Sequence, residues 1–158
     1  PDGARRKDGS DRVEPRGAAL YHCGPVTRKT ATGWEVVAAG PTTSFRMDSL
    51  EADFLARFGP KVVVGKGGMG ARTQEALVRN KAVYVSFTGG AGALAARTLG
   101  RISAVHLLPE LGMAEAIWVF DSPGFGPLIV TMDCHGRSLH QELDQSSLAR
   151  AAEIKARI

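Results

Sequence analysis

The hydrophobic positions of this chain fall into short runs, each followed by a glycine-rich loop and then by a helical pattern. Trp34 to Ala39 is an apolar run that ends at Gly40-Pro41. The residues 48–58 that follow carry apolar positions at helical spacing. Lys61 to Val64 leads into Gly65-Lys66-Gly67-Gly68-Met69-Gly70 and a helix over Ala71 to Arg79. Ala82 to Phe87 leads into Thr88-Gly89-Gly90-Ala91-Gly92 and a helix of small residues reaching Leu99. Three strand–loop–helix units in series predict an α/β fold with a mostly parallel sheet and right-handed crossovers. All three loops then lie at the carboxyl ends of strands, the edge where open α/β sheets bind ligands. Thr42, Arg46, Lys66 and Gly90 are expected to meet there.

Outside these units the pattern is weaker. Ala18 to Cys23 reads as a short strand and Thr27 to Gly33 as a polar turn. Ile102 to Leu108 and the end of Ala114 to Phe120 lean towards strand, and Leu128 to Met132 is a clear strand. Residues 138–158 read as a loop and a terminal helix. Residues 1–17 are polar, charged and rich in Gly and Pro, and are expected to be a disordered or incomplete arm before a single domain over 18–158.

Composition narrows the classes. The net charge is +4, but Arg5, Arg6, Lys7, Arg12 and Arg16 crowd the first residues, and the 6% of aromatics do not interleave with the basic ones. That argues against nucleic-acid binding. No apolar run reaches the length of a membrane span, and two cysteines make no disulfide framework, so the cytoplasm is the expected compartment.

The candidate chemistry sits in the loops. Gly40-Pro41-Thr42-Thr43-Ser44-Phe45-Arg46-Met47-Asp48 offers three hydroxyls, any of which could cap the next helix. Such a turn leaves backbone N–H groups at a positive helix end, and Arg46 adds a two-pronged donor for carboxylate or phosphate. The run 65–70 matches G-x-G-x-x-G between a strand and a helix, which suggests a nucleotide- or dinucleotide-binding domain. However, the next strand ends Val85-Ser86-Phe87-Thr88 without the acid that would hold a ribose. As a P-loop the run also fails, because Gly67 follows Lys66 where Ser or Thr is needed. The 88–92 loop has no charged side chain and reads mainly as a packing element. His22-Cys23 and Cys134-His135 could each give at most one ligand from a strand, so no metal site is expected. His106 and His140 have no evident partner. Two cysteines are too few for a cubane iron–sulfur cluster.

Four motifs in order resemble one family. They are Gly-Pro-Thr-Thr-Ser-x-Arg-Met-Asp at 40–48, Gly-Lys-Gly-Gly-Met at 65–69, Gly-Gly-Ala-x-Ala-Leu at 89–94, and Glu-Leu-Gly-Met with Glu-Ala-Ile-Trp at 110–118. The resemblance runs from about Leu20 to about His135. It is to the β subunit, or C-terminal domain, of class I fumarate hydratases and L(+)-tartrate dehydratases.

The resemblance implies a swivelling β/β/α three-layer domain. It also implies a hydro-lyase acting on fumarate and malate, or on a related hydroxy-dicarboxylate such as tartrate. A 4Fe-4S cluster acting as Lewis acid would come from a partner α subunit, with none bound by this chain alone, in an oligomeric assembly. Thr42 corresponds to a catalytic acid/base threonine, Arg46 and Lys66 to binders of substrate carboxylates, and Thr43 to a nearby hydroxyl. The family carries an upstream Arg-Asp-Ala-Ala-His-like segment with a further substrate arginine, which residues 1–17 do not match. Truncation of the chain and a non-catalytic partner subunit are both compatible with that difference. One extra residue also stands in Met113-Ala114-Glu115.

Overall fold

The computed structural model describes residues 13–157. The expected arm therefore lies outside the described residues as far as position 12. From Val13 the chain turns onto the domain: Gly17 N–H donates to the Gly59 carbonyl and Ala18 N–H to that of Pro15.

The centre is a four-stranded sheet of β1 (Ala19–Tyr21), β4 (Val62–Gly65), β5 (Val83–Ser86) and β8 (Ile129–Met132), in the order β1-β4-β5-β8. The first three are parallel and β8 closes the edge antiparallel. The sequence alternation assigns side chains to its two faces. Val63 and Tyr84 point to one face, where they join Leu55 and Ala52 of α1 (Asp48–Phe58) and Ala76 and Leu77 of α2 (Ala71–Asn80). Val64 and Val85 point to the other, with Ala39, Phe87, and Ala95 and Leu99 around α3 (Gly92–Thr98). Strands covered on both faces must be apolar throughout, which is why Val62-Val63-Val64 does not alternate with polar residues.

The helices stop where their sequence dictates. α1 ends on Gly59 at φ 64°, a left-handed position that suits glycine, with Pro60 next. α5 (Leu139–Lys155) starts on Ser138, whose side chain accepts from the Gln141 N–H. Its residues are exposed apart from His140, which is half-buried.

Two antiparallel hairpins complete the third layer: β2 (Val26–Thr30) with β3 (Gly33–Ala38), and β6 (Arg101–His106) with β7 (Ile117–Asp121). The Trp34 and Trp118 rings meet edge-on at 5.3 Å and join the hairpins, while the Trp118 indole N–H donates to the Met113 carbonyl in α4 (Leu108–Glu115). The mixed α/β class with a mostly parallel sheet and three layers therefore agrees with the sequence reading. Three details differ from it. Leu108–Glu115 is a helix, where the sequence reading had only the end of one strand candidate and the start of another apolar run. The run 34–39 is a strand, but it pairs with β2 and is not in the parallel sheet. Thr27–Thr30, in the 27–33 segment read as a turn, belongs to the other half of that hairpin: apart from buried Thr27 its polar residues suit an exposed strand held by backbone pairing and by an Arg28–Glu35 ion pair at 2.7 Å.

Candidate functional site

The chain leaving β3 returns to the central sheet through the 40–44 loop. Thr42 N–H donates to the His22 carbonyl (2.8 Å), and His22 N–H donates to that of Val64 (2.8 Å). Thr43 then makes a parallel bridge with Lys66, and Ser44 N–H donates to the Lys66 carbonyl at 3.2 Å. The loop thus lies as an extra short strand against the carboxyl end of β4. This sets Thr43 and Ser44 directly against Lys66, with Thr42 and Arg46 on the same loop, although β3 is not in the sheet.

The 88–92 loop closes the other side. An added Cβ at Gly89 would lie 3.4 Å from Lys66 Cδ and 3.9 Å from its Nζ, so the lysine stem lies over this glycine. Ala39 N–H donates to the Gly92 carbonyl, and a Cβ at Gly92 would lie 3.1 Å from Gly40 N. Glycine on both sides lets two backbones touch. The three loops therefore meet at one edge. Among the described residues neither Arg46 nor Lys66 belongs to an ion pair.

The donors differ from the sequence expectation. None of the three hydroxyls caps a helix: Thr43 precedes a 3-10 turn, Ser44–Met47, without a side-chain cap bond, and α1 follows with Met47 at its cap position. The N–H groups of Thr42, Ser44 and Arg46 are all spent on carbonyls. Those three N–H groups are therefore not free for an anion, and the charged donors of the loops are the guanidinium of Arg46 and the ammonium of Lys66.

The helix end of the G-x-G-x-x-G loop is also occupied. The Asp48 carboxylate accepts from the Gly70 N–H at 2.6 Å and from the Thr73 hydroxyl at 2.7 Å. A pyrophosphate would need that position and would meet a carboxylate there. This geometry opposes the dinucleotide reading. His140 packs over the same loop, with its Cδ2 2.8 Å from where a Cβ of Gly68 would be.

Beneath the 40–44 loop is a buried polar cluster that sequence reasoning missed. Tyr84 OH donates to Ser44 Oγ at 2.8 Å. His22 Nδ1 lies 2.9 Å from the same oxygen, and its Nε2 lies 3.1 Å from Glu51 Oε2. His22, Ser44, Glu51 and Tyr84 are all buried. Burial, reinforced by the Glu51 charge, holds the Tyr84 phenol above its ordinary pKa, although its bond to Ser44 opposes the shift. An added Cβ at Gly65 would fall 1.8 Å from Ser44 Oγ, so only glycine leaves room for this cluster.

The two cysteines do not fit a cluster. They are fewer than the three or four thiolates a cubane needs. Cys23 packs against the apolar core and its thiol is pushed up to about 11 by burial, which disfavours a thiolate ligand. Among the described residues no helix is long and apolar enough to cross a membrane.

Comparison with known sequences decides the family. The sequence model of the fumarase C-terminus matches residues 4–143. The chain belongs to the fumarase C-terminus family. Within it, the chain is 48% identical over 126 residues to the L(+)-tartrate dehydratase subunit beta of Escherichia coli (strain K12), covering 80% of this chain and 62% of that one. It is 43% identical over 144 residues to a putative fumarate hydratase class I of Geobacillus stearothermophilus, covering 90% of this chain and 28% of that protein. It is 38% identical over 135 residues to a putative L(+)-tartrate dehydratase subunit beta of Methanocaldococcus jannaschii, covering 85% and 69%. The chain thus spans less than two thirds of the length of the E. coli relative.

Proposed function

We propose that this chain is the β subunit of a hydro-lyase that adds water to, or removes it from, a small dicarboxylate of the fumarate–malate or tartrate type. The observation that carries this reading is the Thr43–Lys66 bridge. It lays the loop that carries Arg46 against Lys66, and neither cation has an ion-pair partner among the described residues. Two cations on adjoining loops suit a ligand with two carboxylates, and the guanidinium can take one of them in bidentate fashion.

Removal of a proton from the carbon next to a carboxylate drives negative charge onto that carboxylate. Arg46 and Lys66, already in place, stabilise the charge as it develops. In this reading Thr42 is the acid/base group and Thr43 a further hydroxyl contact. A threonine hydroxyl is a poor base at its ordinary pKa, and the adjoining cations favour its alkoxide. The 4Fe-4S cluster of this reading belongs to a cluster-bearing α subunit in a cytoplasmic, oligomeric enzyme. The subunit beta name of one relative supports a multi-subunit enzyme with an α partner, and the fumarate hydratase name of another supports the hydro-lyase class.

Thr42→Ala in the assembled enzyme tests the central role. Turnover is expected to be lost while dicarboxylate affinity, read by calorimetry, persists. Near-normal turnover would remove Thr42 from the chemistry. Arg46→Ala or Lys66→Ala is expected to weaken dicarboxylate binding by about 10- to 100-fold, the worth of one charge-assisted contact.

A further inference from the structure

We propose that His22 is the positioning residue of the active-site loop: through its backbone and its ring it fixes both ends of Thr42–Ser44, and Glu51 fixes the ring. This rests on the hydro-lyase reading above for its link to catalysis, but the geometry stands alone.

His22 grips the loop twice. Its carbonyl accepts from Thr42 N–H at 2.8 Å, and its Nδ1 lies 2.9 Å from Ser44 Oγ. The direction of each bond follows from counting donors. Glu51 is a carboxylate and accepts, so Nε2 carries the proton and donates to it. Nδ1 is then an acceptor and takes the Ser44 hydroxyl proton, while Ser44 Oγ accepts from Tyr84 OH. The chain Tyr84, Ser44, His22, Glu51 is satisfied in one direction, and that direction specifies one ring tautomer and one Ser44 rotamer.

The arrangement is expensive as plain core filling. Glu51 is 2% exposed, and its Oε1 has no hydrogen-bond partner among the described residues. Apolar residues of similar volume would fill the space at lower cost. Its location gives it a use. Glu51 stands in the first turn of α1, His22 follows β1, and Ser44 lies between Thr42–Thr43 and Arg46. The cluster joins the helix, the sheet and the loop directly below the Thr42 backbone. Arg46 is tied from the other side, because Asp48, two residues on, is held by Gly70 and Thr73. Loosening His22 should therefore disturb Thr42 more than Arg46, and lower kcat more than it raises KM.

Three variants separate positioning from packing. His22→Asn puts an amide where Nδ1 was and keeps the Ser44 contact. His22→Gln puts one where Nε2 was, keeps Glu51 and loses Ser44. Ser44→Ala removes the hydroxyl with little change of volume. In the enzyme assembled with its α subunit, His22→Gln and Ser44→Ala are expected to lose about 100-fold in kcat with KM within about threefold. His22→Asn is expected to lose less than about tenfold. Amide exchange on the same assembled enzyme gives a readout independent of turnover. Thr42 and Ser44 should exchange at least about tenfold faster in His22→Gln than in His22→Asn, with Val63 and Val85 unchanged. Equal exchange in the two histidine variants, or loss of protection throughout the sheet, would overturn the proposal. A wild-type enzyme without turnover would refute the hydro-lyase reading instead, and the exchange comparison would still decide the role of His22.

Discussion

The carboxylate of Asp48, the first residue of α1, accepts a 2.6 Å hydrogen bond from the backbone N–H of Gly70, the residue before α2. One side chain thus caps the second helix from the start of the first, and fills the place where a nucleotide phosphate would sit. Asp48→Ala is expected to cost about 1–2 kcal/mol in urea unfolding, the range for a lost helix cap. NAD should give the wild-type chain no thermal protection. Protection by NAD, or unchanged stability of Asp48→Ala, would contradict this account of the glycine-rich loop.

Gly65→Ala tests the close packing below the loop. Its Cβ would fall 1.8 Å from Ser44 Oγ and 2.8 Å from Tyr84 OH, so Ser44 must move. A loss of about 1–3 kcal/mol is expected, as for overpacked cores, together with weaker dicarboxylate binding. Wild-type stability and affinity in this variant would show that the loop is not held against β4.

The pH dependence follows from two groups in the core. Burial pushes the Cys23 thiol up to about 11 and holds the Tyr21 phenol well above its ordinary range, with Cys23 adding to the latter. Both groups bind their protons more tightly in the folded chain than in the unfolded one. Their contribution is therefore complete below about pH 9, where the unfolded thiol begins to ionise, and is lost as the pH rises towards 11. Urea midpoints should fall across that window. Alkylation of Cys23 at pH 8 should be slow, since only about one thiol in a thousand is ionised there, and should accelerate on unfolding. A midpoint constant from pH 8 to 11 would contradict the burial of these groups.

Much of this site was legible because glycine and proline mark loops and apolar runs mark strands. The series 40–47, 65–70 and 88–92 was enough to bring the loops that carry Thr42, Arg46, Lys66 and Gly90 to one edge. The partner of β3 was not legible: Trp34–Ala38 has the alternation of a strand, but nothing in that pattern says which strand it joins. β2 was hidden because its residues, Thr27 to Thr30, are as polar as a turn. The buried cluster was hidden for a different reason. Its members are 22, 29 and 40 residues apart in their contacts, and no periodicity links a histidine after one strand to a glutamate inside a helix. Gly65, with no room for a side chain, was the nearest signal, and the G-x-G-x-x-G reading absorbed it.

The central claim, a dicarboxylate hydro-lyase site built on the Thr43–Lys66 juncture, is tested most directly by anaerobic co-expression with a cluster-bearing α subunit, followed by turnover assays on fumarate and L(+)-tartrate. Turnover on at least one of them, lost in Arg46→Ala and in Lys66→Ala while the complex still assembles, is the predicted result. A stable complex with an intact cluster and no turnover on either, or turnover indifferent to both substitutions, would contradict it.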